Sequence, residues 1–306
     1  MTAASSDCPW VIEPSYLRIT ADALGRGTPV KVRVLGDMTS IAQDFALVLK
    51  EEILASQAAG RSGTFIVPVG PVDQFPLLAR MVNEQRLSLR DVVFINMDEY
   101  LTDDDAWVPE SHPLSFRGYM ERAFYGLLDP ALAPPPEHRV FPDPHDCDAV
   151  QRLIDTRGGV DVTFGGIGIN GHIAFNEPPE GNAECGMRNA ESNQSLLTSA
   201  ATVEHFAALP TRVLSLSRET RTINSVTVGG GIEVVPRRCV TVGMKEILAS
   251  RKLRFYCNRP WQSAVVRRVL HGPITPACPA SLLRLHPEAM LTIADYVAQP
   301  PEIRLR

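Results

Sequence analysis

The sequence predicts an α/β protein with a mostly parallel sheet and helices on both faces, on three observations. Short apolar runs of β-branched character recur along the chain, and stretches with helical spacing of apolar residues fall between them. No internal repeat or long low-complexity segment interrupts the alternation. At 306 residues the chain can bury a large core as a single domain.

The elements follow in order. Residues 1–30 are polar and irregular and are expected to form an N-terminal arm, with the single α/β domain spanning 31–306. Residues 31–35 alternate as a strand does, and Gly36-Asp37 end it. Ser40 is expected to cap a helix reaching about residue 57, with Ile41, Phe45, Val48 and Ile53 on its apolar side. Residues 64–69 form a continuous apolar run, as buried parallel strands do. A helix is expected over 75–83, further buried strands over 92–95 and 160–164, late strands over 240–242 and 253–256, and a helix over 262–270. Prolines cluster at 134–136, 142–144 and 276–279, where they mark loops rather than a domain boundary.

Composition narrows the function classes. The formal charge of -5, with arginines and lysines scattered, argues against a nucleic-acid or acidic-membrane partner. No run of about 18 apolar residues occurs, and residues 1–14 lack the basic-then-apolar pattern of a secretory signal, so a cytoplasmic protein is expected. The six cysteines include no Cys-x-x-Cys pair and none at zinc-finger spacing from a histidine. Reduced thiols, no metal and no cofactor are the expectation.

Two loops carry residue sets suited to chemistry, each beyond the carboxyl end of an expected strand, where open α/β sheets bind ligands. The first is Asn96-Met97-Asp98-Glu99-Tyr100. A carboxylate at the rim of a dry sheet can have its pKa raised far enough to abstract a proton, although many loop aspartates only cap a turn. The second runs from Gly165 to Pro178 and contains Asn170, Gly171, His172 and Glu177. Its glycines allow close approach of a ligand to backbone amides, and Glu177 can orient the His172 ring. Gly166, Gly168 and Gly171 also spell the dinucleotide-binding G-x-G-x-x-G. That motif must open a helix, and Asn176-Glu177-Pro178-Pro179 prevents a long one, so the nucleotide reading is set aside.

Asn-Met-Asp-Glu-Tyr at 96–100 and Gly-His-Ile-Ala-Phe-Asn-Glu-Pro at 171–178 resemble the two signature loops of glucosamine-6-phosphate deaminases. Further similarity at His112-Pro113, 220–225, Thr241-Val242-Gly243 and 281–287 extends the resemblance over about residues 64 to 292. The related 6-phosphogluconolactonases share a Gly-His loop but lack the Met-Asp-Glu-Tyr and Asn-Glu-Pro signatures. The resemblance implies a modified Rossmann-like domain, a small sugar substrate, no cofactor, and an aldose–ketose isomerisation coupled to loss of ammonia. Homo-oligomers are common in such a family. By the same resemblance, His172 assists ring opening, Asn170 and Glu177 position it, and Asp98 moves a proton between sugar carbons 2 and 1. Substrate contacts are expected at Gly70, Asp73, Gln74, Glu99, Gly166, Gly168, Gly171, Arg259 and Gln262.

The departures concentrate where the family holds its phosphate. The Gly-Ser/Thr-rich turn of the family is here Val69-Gly70-Pro71-Val72-Asp73-Gln74, which lacks the hydroxyls and one amide and adds a carboxylate. The family's arginine after Asn-Ser is Val226, and its late lysine aligns with Gln262. Each lost charge-assisted hydrogen bond removes about 1.5–3 kcal/mol from phosphate binding. Two readings follow: a substrate with a neutral or cationic far end, which the Asp73 carboxylate favours, or a different anion site rebuilt from Arg259 and Arg221. Beside the enzyme reading stand a sugar-binding homologue without turnover and a sugar lactonase. The combined set Asp98, His172 and Glu177 favours the enzyme.

Overall fold

The computed structural model describes residues 14–70, 73–179 and 202–302. Its frame is a seven-stranded sheet in which every neighbouring pair is parallel. Across the sheet the order is β1 (Lys31–Leu35), β10 (Ala289–Ala294), β9 (Lys252–Cys257), β6 (Val162–Gly166), β2 (Thr64–Val67), β3 (Val93–Asn96) and β5 (Arg139–Val140). From β2 the chain builds outward through β3 and β5, then returns to the other flank of β2 as β6 and builds outward again through β9 and β10. This reversal between β2 and β6 opens a crevice beyond their carboxyl ends.

Two of the strands expected from their apolar runs are buried throughout. Thr64–Val67 and Val93–Asn96 have no exposed position, as interior parallel strands require. The long helix α1 (Met38–Ala58) starts earlier than expected: Asp37 is its cap, accepting from the Ser40 amide at 2.7 Å. Asp37 provides the carboxylate acceptor, and Ser40 is left in the first turn. Phe45 of α1 packs between the rings of Phe164 and Tyr256, at centroid distances of 5.0 and 4.6 Å. Helix α2 (Gln74–Gln85) lies against α1 and joins β2 to β3.

The run 240–242, expected in the parallel sheet, belongs elsewhere. It lies in β8 (Arg238–Thr241), central in a separate three-stranded antiparallel sheet with β4 (Asp98–Leu101) and β7 (Arg212–Ser215). A buried apolar run looks alike in either setting, so periodicity could not separate them. Tyr100, Phe116 and Phe175 form the core of this second layer, with centroids 5.1 to 5.9 Å apart.

Residues 14–30 make short 3-10 turns against the helix Gln262–His271, tied by Arg267 Nε to the Ile19 carbonyl at 2.8 Å and by the Gly25 amide to His271 Nε2 at 3.0 Å. The rest of the expected arm, residues 1–13, lies outside the described residues, as do Pro71, Val72, Cys8 and Cys185. Cys147, Cys239, Cys257 and Cys278 are free thiols. Among the described residues no helix is long and apolar enough to cross a membrane.

Candidate active site

The crevice at the strand reversal is a cavity of about 700 Å³. Loops from the carboxyl ends of β2, β3, β6 and β9 line it, and the segments 113–119 and 223–227 close it from above. Asp98 and His172 both face it, as do Gly70, Gly166, Gly168, Arg259 and Gln262.

Asp98 stands where the two sheets meet. Met97 donates to the Val67 carbonyl at 2.9 Å and accepts from the Val242 amide at 2.7 Å, so one residue bridges β2 and β8. Asp98 then opens β4, opposite Thr241. Its side chain is 7% exposed. Burial, with a smaller push from Glu99, raises its pKa well above the ordinary 3.8. Such a carboxylate is a stronger base than one in water.

The histidine loop is held by hydrogen bonds from three sides. Asn170 Oδ1 accepts from the His172 amide at 3.1 Å and meets His172 Nδ1 at 2.8 Å. Asn170 Nδ2 donates to Glu177 Oε2 at 2.7 Å. An amide oxygen can only accept, so Nδ1 carries the proton and Nε2 keeps its lone pair. Thr220 Oγ1 lies 3.1 Å from the same Nδ1. Glu177 Oε2 is 3.7 Å away, beyond a direct bond, so Asn170 couples the pair. Burial lowers the His172 pKa from 6.5 and the Glu177 carboxylate partly opposes this, which keeps the ring neutral and able to accept a proton.

Glu177 is anchored in turn. Its Oε1 accepts from the Ser217 amide at 3.2 Å, where Ser217 caps the helix Arg218–Ser225. The amide end of that helix favours the carboxylate's charge. The ring of His172 sits close against Gly168, where a β-carbon would fall 2.0 to 2.4 Å from three ring atoms. Ala174 in the same loop has φ of 51°, a sparsely populated conformation for a side-chain-bearing residue at this site. Asn176 is fully buried and donates to the carbonyls of Ile173 and Val242 at 3.1 and 2.9 Å, while its oxygen accepts from Arg212. In the Asn-Glu-Pro signature the asparagine is therefore a latch onto β8, and the glutamate supports the histidine.

Several expected substrate contacts fall elsewhere. Glu99 is fully buried and turned away from the cavity, accepting from Ser115 Oγ and from the amides of Tyr100, Phe116 and Arg117 at 2.8 to 3.1 Å. Strand alternation forces this, because neighbours along β4 point to opposite faces. Gly171 does not line the cavity either: with φ of 90° it packs on Cys278, whose Sγ lies 2.6 Å from where a β-carbon would be. Gln74 turns back on its own loop and donates to the Val69 carbonyl at 3.2 Å. Asp73 is exposed outside the cavity lining; burial of the Tyr119 phenol, with a smaller push from the Asp73 charge, raises that phenol to about 12. Gln262 lines the cavity with both amide ends engaged, accepting from the Arg259 amide at 2.8 Å and donating to the Ile167 carbonyl at 2.7 Å. Arg221 is directed to the carbonyls of Ile232 and Val235 rather than to an anion site.

Residues that sequence reasoning did not assign complete the site. Ser217 and Thr220 form its support; Thr220 falls in the stretch 220–225 that resembles the family without a role read from it, and the local signal at Ser217 is a helix cap. Ile223, Val226, Phe116, Tyr119 and Trp261 add apolar surface to the lining, with Val226 70% exposed. No group of three or more metal-ligating side chains occurs among the described residues.

No protein-family model matches this sequence. The chain is 32% identical over 233 residues to a glucosamine-6-phosphate deaminase of Cellvibrio japonicus, covering 74% of this chain and 76% of the relative. It is 27% identical over 267 residues to one of Mycolicibacterium smegmatis, covering 87% and 88%. Among solved structures, a monomeric glucosamine-6-phosphate deaminase superposes with a TM-score of 0.70 at 23% identity, over 88% of this chain and 99% of that one, which shows a shared fold.

Proposed function

The chain belongs to the glucosamine-6-phosphate deaminase family, and from that premise we propose that it converts an amino sugar to a ketose with release of ammonia, on a substrate whose far end lacks a phosphate. The observation that carries the reaction is the shared cavity of Asp98 and His172, a buried carboxylate and a neutral imidazole with Nε2 unprotonated. In the proposed sequence, His172 Nε2 takes the anomeric hydroxyl proton and passes it to the ring oxygen as that oxygen leaves carbon 1, giving the open-chain aldehyde. The Asp98 carboxylate then removes the hydrogen on carbon 2 while the carbon 1 oxygen takes a proton from water, giving an enolamine between carbons 1 and 2. Returning a proton to carbon 1 leaves an iminium at carbon 2, and water adds there to expel ammonia. Each positioned proton transfer contributes roughly 10²- to 10⁴-fold.

Among the described residues Arg259 is the one guanidinium lining the cavity. Val226 presents methyl groups where the family has arginine, and the Gln262 amide is engaged at both ends. A phosphate dianion there would give up its water shell for one flexible, exposed arginine, whereas sugar hydroxyls and methylenes suit the Ile223, Val226 and Trp261 wall. The test is a panel of phosphorylated and unphosphorylated amino sugars, scored for ammonia and ketose. Turnover of unphosphorylated members supports the reading. Efficient turnover of glucosamine 6-phosphate alone refutes the substrate assignment, and no ammonia from any member refutes the reaction.

A further inference from the structure

At the opposite edge of the sheet, the amino ends of three adjacent strands carry a second charged cluster. Arg61 precedes β2, Asp161 precedes β6, Arg251 precedes β9, and Arg157 ends the helix Asp148–Arg157 that leads into β6. With Ser62 and Thr156 they line a recess of about 230 Å³. Asp161 is the one carboxylate lining the recess among the described residues, and it bonds two of the three guanidiniums. Asp161 Oδ1 accepts from Arg61 Nε and Arg251 Nη1, both at 3.2 Å, and Oδ2 accepts from the Thr64 amide at 3.0 Å. Arg251 Nη2 donates to the Gly158 carbonyl at 2.8 Å, and Arg157 Nη2 to the carbonyls of Asp91 and Ser62 at 2.5 and 3.4 Å. The Nε of Arg157 is buried with no hydrogen-bond partner.

The charges do not balance. The carboxyl end of the helix offsets about half a charge and Asp161 one, which leaves roughly one and a half positive charges around the recess. Guanidinium forks match the oxygens of a phosphate or carboxylate, and a buried N–H without an acceptor is costly until one arrives. We propose that this recess binds a small oxyanion group, phosphate or carboxylate, at a site separate from the reaction cavity.

The test is thermal unfolding of the full chain titrated with inorganic phosphate, with succinate, and with chloride at matched ionic strength. A saturable rise in Tm with phosphate or succinate above the chloride baseline is expected, and the stronger of the two identifies the ligand's head group. Arg157→Gln is expected to need at least tenfold more of that anion for the same shift. Arg61→Gln, which leaves Asp161 its bonds to Arg251 and Thr64, provides the same test should Arg157→Gln fail to fold. A chloride response equal to the others, no response to any anion, or variants that respond like the unaltered chain would overturn the site. Binding in the reaction cavity would give that last result, because neither substitution touches it.

Discussion

The two ends of the reaction cavity are built on different principles. At the near end every polar group but the reacting ones is committed: Asn170 joins His172 to Glu177, Ser217 holds Glu177, and Gly168 lies under the ring. The far end has Ile223, Val226 and Trp261 in its wall, and among the described residues Arg259 is the one guanidinium that lines the cavity. A hydrogen-bonded network fixes a reaction because moving any member misplaces the others. An apolar wall fixes no reaction and sets only what fits. Reaction type and substrate identity thus reside in separable parts of one cavity, and each half can be altered without the other.

The largest effect is expected from Asp98→Asn. Removing the base should lower turnover by about 10²- to 10⁴-fold with sugar binding little changed, read as a fall in kcat at constant KM. Unchanged kcat would remove Asp98 from the near end. Gly168→Ala comes next: the added methyl must push the imidazole off its seat, and a displacement of about 1 Å is expected to lower turnover by about 100-fold. Wild-type turnover in that variant would show that the ring's position does not matter. Val226→Arg alters only the far end. One new charge-assisted hydrogen bond of about 1.5–3 kcal/mol predicts a roughly 10- to 100-fold lower KM for glucosamine 6-phosphate, with kcat on unphosphorylated sugar retained. An equal loss on both sugars would mean that the two ends are not separable.

The smallest effect is in stability against pH. Burial raises the Asp98 pKa above 3.8, so the folded state binds the extra proton. That contribution is complete below 3.8 and is lost as pH rises toward the folded-state value. His172 has the opposite sign: its pKa is lowered from 6.5, so stability is lost as pH falls below 6.5. Asp98→Asn should therefore unfold at a higher Tm than wild type, with the gap widening as pH rises through the Asp98 titration, by at most about 1.4 kcal/mol per pH unit. A gap that does not change with pH would contradict the buried-charge account.

Much of this was legible in the sequence. The interior strands announced themselves as unbroken apolar runs, and the two signature loops pointed to the near end. What the sequence concealed has physical reasons. The short antiparallel layer gives no periodic signal over four-residue strands such as Asp98–Leu101, so the opposed facing of Asp98 and Glu99 could not be read. Glu99, Gly171 and Gln74 stand beside site residues in the chain, yet their side chains or backbone serve packing and internal hydrogen bonds. Thr220 reaches His172, and Ser217 reaches Asn170 and Glu177, across 40 to 48 residues of chain, a proximity that only the tertiary fold creates.

The most direct measurement follows the hydrogen on carbon 2. An amino sugar that the enzyme turns over, deuterated at that carbon, should lose the label from carbon 2 in the presence of wild type and retain it in the recovered sugar with Asp98→Asn. Loss of the label at the wild-type rate in Asp98→Asn would show that another group removes this hydrogen, and the assignment of the near end would fail.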